Sequence, residues 1–86
     1  MKTIWKFEFH PHKSISMPKG AEILSVQEQH GKTCIWAMVN PNAPLEIRKI
    51  VIYGTGHVLP NDPGQFIGTF QLQSGAYVFH MFEEGK

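Results

Sequence analysis

The chain has 86 residues and a mass of 9.8 kDa, with 42% hydrophobic and 17% charged residues, which suits one domain over residues 1–86 and leaves no room for a second core. Six Pro and eight Gly, with Asp62 as the single Asp, exclude a helical bundle and point to strands joined by turns. The formal net charge of +1 and pI near 7.9 exclude a field that would hold nucleic acid or an acidic membrane without sequence preference.

Over residues 3–9, Trp5, Phe7 and Phe9 alternate with Ile4, Lys6, Glu8 and His10, the two-residue period of a half-buried strand. Pro11 stops it. Residues 14–16 are expected to add a short edge strand before Met17-Pro18-Lys19-Gly20, a turn by its Pro and Gly. Residues 22–29 would tolerate a helix, but Leu24, Val26 and Glu28 alternate with Ile23, Ser25 and Gln27, so they are read as a strand. His30-Gly31 turns it into a second strand over residues 32–39, which the prolines of residues 40–44 close. A further strand is expected over residues 46–53, then a surface loop over residues 54–64, rich in Gly and Pro. Residues 66–73 and 76–82 flank Ser74-Gly75, the strongest hairpin signal in the chain. The expected fold is all-β, a small antiparallel sandwich or partly open barrel of about six to seven strands with no long helix.

Residues 33–39, 50–53 and 76–82 are apolar on both faces, whereas a strand with one wet face alternates. No segment offers an amphipathic helix to cover them. A second copy of the chain is the expected cover, so the protein is expected to be a homo-oligomer. Cys34 is the only cysteine, which excludes an internal disulfide and a thiolate zinc site and implies a reducing, cytoplasmic home. No signal peptide and no apolar run near 20 residues is visible, so no membrane partner is expected. Sequence-specific DNA binding is not expected either.

Constellations for catalysis are thin. Asp62 lies in a Pro/Gly loop, no nucleophile elbow occurs, and Glu83 and Glu84 read as a solvated tail. No catalytic residue, cofactor or metal is expected. His10 and His12 would share a side of an extended segment but lack a third ligand. His80 reads as a neutral imidazole with one hydrogen-bond partner, or as a polar group in an apolar pocket or subunit interface. Gly54-Thr55-Gly56-His57 makes the best local case: two glycines let backbone N–H groups approach an anion, and Thr55 and His57 add donors. The bland alternative is a strand end using Gly for positive φ. Gly68-Thr69 would supply a second small, polar surface. Trp5, Trp36, Tyr53, Phe66, Phe70, Tyr77 and Phe79 could include a base-stacking platform, with Trp36 and Tyr53 taken into the expected set, against core packing for most of them. Arg48, beside Lys49, is the candidate phosphate anchor. The expected ligand-binding set is therefore Trp36, Arg48, Tyr53, Gly54, Thr55, Gly56, His57, Gly68 and Thr69.

Met1-Lys2-Thr3-Ile4-Trp5-Lys6-Phe7, Met17-Pro18-Lys19-Gly20-Ala21, Ile23-Leu24-Ser25-Val26-Gln27, Ile52-Tyr53-Gly54-Thr55-Gly56-His57 and Ile67-Gly68-Thr69-Phe70-Gln71 together carry a resemblance. With these phrases the chain resembles a family of small proteins of unknown function encoded by bacteriophages, prophages and some bacteria. The resemblance implies a non-catalytic accessory factor in the host cytosol that neutralises host immunity. Two mechanisms are open: an oligomer that sequesters a nucleotide-derived small-molecule signal, or a blocker that docks on a host protein. A small enzyme using His57 or His80 as base is the third reading.

Overall fold

The computed structural model of the chain describes residues 1–85, and these contain strands and turns and no helix. The strands are β1 (Thr3–Glu8), β2 (Ile15–Pro18), β3 (Glu22–Gln29), β4 (Lys32–Val39), β5 (Leu45–Arg48), β6 (Ile50–Gly54), β7 (Gln65–Leu72) and β8 (Tyr77–Glu83). They form three antiparallel sheets, β1-β4-β3, β2-β5 and β6-β8-β7, none closed into a barrel.

The all-β expectation holds, with one strand more than expected. Residues 46–53 divide at Lys49, because β5 pairs with β2 while β6 pairs with β8. Lys49 is the crossing point, and its carbonyl accepts a hydrogen bond from the Glu84 N–H at 2.9 Å. The edge strand expected over residues 14–16 also extends through Met17, which is fully buried, to Pro18. A proline fits the last position of that strand, where no ladder donor is needed.

Turn chemistry follows the residues. His30 and Gly31 have φ of 53° and 81°, the double left-handed geometry of a tight hairpin between β3 and β4. The β7–β8 hairpin is wider than a two-residue turn: residues 73–76 form it, with positive φ at Gln73, Ser74 and Gly75.

The register sorts side chains into two faces. Ile35, Ala37 and Val39 of β4 point inward with Val26 of β3, and Met81 of β8 points inward with Phe70 of β7; with Phe9, Met17 and Ala21 they make one core cluster. Bulges occur at Leu24 in β3 and at Ile67 in β7, each leaving an unpaired residue.

On the outer face of β1-β4-β3 the chain supplies its own cover. Lys6 of β1 donates to the Gln29 side chain of β3 at 2.8 Å, reaching over β4, and Lys32 of β4 pairs with Glu8 of β1 at 3.2 Å. Cys34 beneath them is only 2% exposed.

Candidate binding site

The outer face of β6-β8-β7 has no such straps. Across its three strands the register sets Val51, Phe82 and Phe66 in one row, and Tyr53, His80 and Thr69 in the next. Thr55 follows Tyr53 on the same side. Phe66 and Tyr53 meet Phe82 edge-on, with ring centroids 5.4 and 5.8 Å away, and Phe66 is 55% exposed. One end of this face is thus aromatic and the other carries hydroxyls and an imidazole.

His80 is gripped at both ring nitrogens. Its Nε2 lies 2.8 Å from Thr55 Oγ1 and its Nδ1 lies 2.9 Å from Thr69 Oγ1. A neutral imidazole has one N–H and one acceptor nitrogen. Both tautomers fit: with the proton on Nε2, that N–H donates to Thr55, whose hydroxyl donates to the Val78 carbonyl at 3.4 Å, and Thr69 donates to Nδ1; with the proton on Nδ1, that N–H donates to Thr69 and the Thr55 hydroxyl donates to Nε2. The ring therefore stands in a fixed orientation, with its edges bonded and its faces free of hydrogen bonds.

Each Gly-Thr dipeptide is split by the strand alternation, threonine outward and glycine inward. Position 68 meets β3 so closely that a Cβ there would lie 3.1 Å from Val26 Cγ1. A Cβ on position 54 would lie 2.8 Å from Cε1 of His57, whose ring occupies that space. The chain returns over Gly54 through a turn closed by the His57 N–H to the Gly54 carbonyl at 3.1 Å, with Gly56 at φ 87° in its third position. That φ is the one a type II turn requires. The expected His57 donor is thereby carried to the inward side, away from Thr55 and His80.

Two other expected residues lie elsewhere. Trp36 is on the outer face of β1-β4-β3, opposite Lys6 and Ser25, with the core between it and His80. Arg48 is 6% exposed and its guanidinium makes two hydrogen bonds to the Glu83 carboxylate, through Nε to Oε2 and through Nη2 to Oε1 at 2.8 Å. Its Nη1 donates to the Ala21 carbonyl at 2.9 Å. The bonded carboxylate holds the Arg48 pKa above its ordinary value, against the lowering effect of burial. Its charge is already matched, so it does not stand ready for a phosphate. Glu83, expected in a solvated tail, is instead 4% exposed at the end of β8.

Tyr53, Thr55 and Thr69 are thus brought together, and His80, Phe66 and Phe82 complete the group. The signal that finds His80 is its register: it is directly opposite both Tyr53 and Thr69. A hydroxyl beside an imidazole is the geometry of nucleophile and base. Here the second ring nitrogen meets another hydroxyl, where a triad would have a carboxylate. A cleft of about 260 Å³ opens beside the Arg48–Glu83 pair, one of about 530 Å³ lies between residues 26–28 and 69–71, and one of about 330 Å³ between residues 9–12 and 50–52. Phe66 lines the first and Thr69 the second, while none of the three is lined by Tyr53, His80 or Phe82. Among the described residues no three His, Cys, Asp or Glu side chains come together to hold a metal ion, and no helix is long and apolar enough to cross a membrane.

The family model of a domain of unknown function, DUF7352, matches residues 1–86, and the chain belongs to that family. No curated protein and no solved structure matches the chain.

Proposed function

We propose that this DUF7352 protein is a non-catalytic binding module whose working surface is the outer face of β6, β8 and β7. The reading rests on one observation: the Phe66, Phe82 and Tyr53 rings adjoin an imidazole fixed by two hydroxyls on a single open sheet face. An exposed sheet with aromatic side chains stacks planar bases, and neighbouring polar groups meet the base edge. The ligand proposed is a nucleotide-derived small molecule, held intact by Phe66 and Tyr53 with Thr55, Thr69 and His80 at its polar side. Arg48, Trp36 and His57 are outside this contact set. The counter-defence role implied by the resemblance to phage and prophage proteins, sequestration of a host signal in the cytoplasm, is proposed on that resemblance alone.

A panel of nucleotides and cyclic dinucleotides, read by thermal shift and followed by chromatography of the recovered ligand, tests the reading. The expected result is stabilisation by one class, intact ligand on release, and loss of the shift in Phe66→Ala but not in Trp36→Ala. A converted product would make the protein an enzyme. A second reading, docking on a host protein, is favoured by the absence of Tyr53, His80 and Phe82 from the three clefts, since small-molecule sites are concave. No shift with any nucleotide would overturn the small-ligand reading in its favour.

A further inference from the structure

The free edge of β1 points to a use separate from the binding face. Among the described residues β1 pairs only with β4, and none of its residues makes a backbone hydrogen bond on the other side. An open edge of regular strand is a template for another strand. The remaining edges are less regular or shorter. β3 and β7 carry bulges and face one another across Val26 and Gly68, a cleft lies between the β6 edge and the chain around Phe9 and His12, and β2 and β5 are four residues each, with Pro18 beside Pro44 at their end. β1 has no proline and no bulge. Its lysine does not guard it, because Lys6 is drawn back over β4 to Gln29. Ile4 is 58% and Trp5 39% exposed on this strand.

We propose that two copies of the chain join antiparallel through their β1 edges, about a two-fold axis at Trp5. The backbone selects which groups meet. The Phe9 N–H bonds the Thr33 carbonyl at 2.9 Å, so odd-numbered residues of β1 aim their N–H and C=O at β4, and Ile4, Lys6 and Glu8 aim theirs outward. A two-fold axis perpendicular to the sheet keeps faces matched only if these outward residues bond one another. Charge then selects the register. An axis at Ile4 sets Lys2 against Lys6 of the second copy, and an axis at Lys6 sets the two Lys6 side chains together; like charges directly opposite are destabilising. An axis at Phe7 opposes Lys6 and Glu8 but pairs only the end of the strand. An axis at Trp5 uses all of β1: Ile4 bonds Lys6 of the second copy, and Lys2 faces Glu8 of the second copy, twice by symmetry. The two Trp5 rings then adjoin across a non-hydrogen-bonded pair, where side chains are closest. The result is a continuous six-stranded sheet that leaves the β6-β8-β7 face open.

Sedimentation of the full chain tests this. At concentrations on the order of 10 micromolar, the expected mass is twice the 9.8 kDa of one chain. Ile4→Pro removes an outward N–H and spares the ladder with β4, so it is expected to give a monomer with an unchanged circular dichroism spectrum. Lys2→Glu should weaken the dimer by about tenfold, since it places like charges opposite. Oxidation should cross-link Trp5→Cys through its two-fold partner and should not cross-link Ile4→Cys. A wild-type monomer at these concentrations, an Ile4→Pro variant that keeps the dimer mass, or cross-linking of Ile4→Cys in place of Trp5→Cys would overturn the proposal.

Discussion

His80 and Glu83 lie on one strand, on opposite faces, and each is a polar side chain held at more than one atom. Glu83 points inward and is sealed against Arg48; His80 points outward between Thr55 and Thr69, which are exposed. The difference in water sets what each can do. A buried charge must keep its partner, because an unpaired ion in the interior costs several kcal/mol, so the Glu83 side is committed to the fold. Exposed hydrogen bonds exchange with water at little cost, so the His80 side is free to exchange its partners for a ligand's. Strand β8 thus separates buried, committed polarity from exposed, exchangeable polarity by residue parity.

Breaking the buried pair is the largest expected effect. Glu83→Ala leaves Arg48 charged at 6% exposure and should destabilise the chain by about 3–5 kcal/mol in urea denaturation, a large part of the whole stability of a small domain. Arg48→Met with Glu83→Leu should recover most of that loss, as an apolar pair of similar volume does. The linkage has a definite sign. A folded pKa above the unfolded one makes the Arg48 contribution fully present below the unfolded value, and it is lost only as pH rises through the raised folded value. Alkaline unfolding below the arginine range should therefore be the same in wild type and in the apolar double variant.

Local rules carried most of the fold. Alternation in β1, the His30-Gly31 turn and the breakers after Gly54 each act within a few residues, so the sequence exposes them. The break at Lys49 is different: residues 46–53 read as one strand because Ile50, Val51 and Ile52 hide any alternation, and the change of partner from β2 to β8 is a tertiary event. The same reason divides the candidate site. Gly54-Thr55 and Gly68-Thr69 were visible as motifs, but their meeting at His80 needs the register of three strands. Arg48 looked free because its carboxylate lies at the far end of the chain, where Glu83 looked like a solvated tail.

Gly68 sits between the two kinds of region, inward like Glu83 but next to Thr69, and it gives an intermediate test. Gly68→Val would press a branched side chain on Val26, where even a Cβ would lie 3.1 Å from Cγ1. Overpacking of this kind should cost about 1–3 kcal/mol. The cost should shrink in a Val26→Ala background, because the clash is with that one side chain, and a double-mutant cycle in urea reads the coupling. Equal costs in both backgrounds would show that the strain at position 68 comes from the backbone and not from the β3–β7 contact.

Thr69→Val should have the smallest effect on stability and separates the two faces most sharply. It keeps the shape of the side chain and a β-branched residue in β7, and removes one hydroxyl from His80. Water can satisfy Nδ1 at this exposed position, so the change in unfolding free energy should stay within about 0.5 kcal/mol. The imidazole, however, loses one of the two hydroxyls that hold its ring, and exchange broadening or a shift of the His80 ring signals in NMR should follow. If Thr69→Val cost as much as Gly68→Val, the hydroxyl would belong to the fold. The outer face would then resemble the interior beneath it, and the parity of β8 would no longer mark where binding can occur.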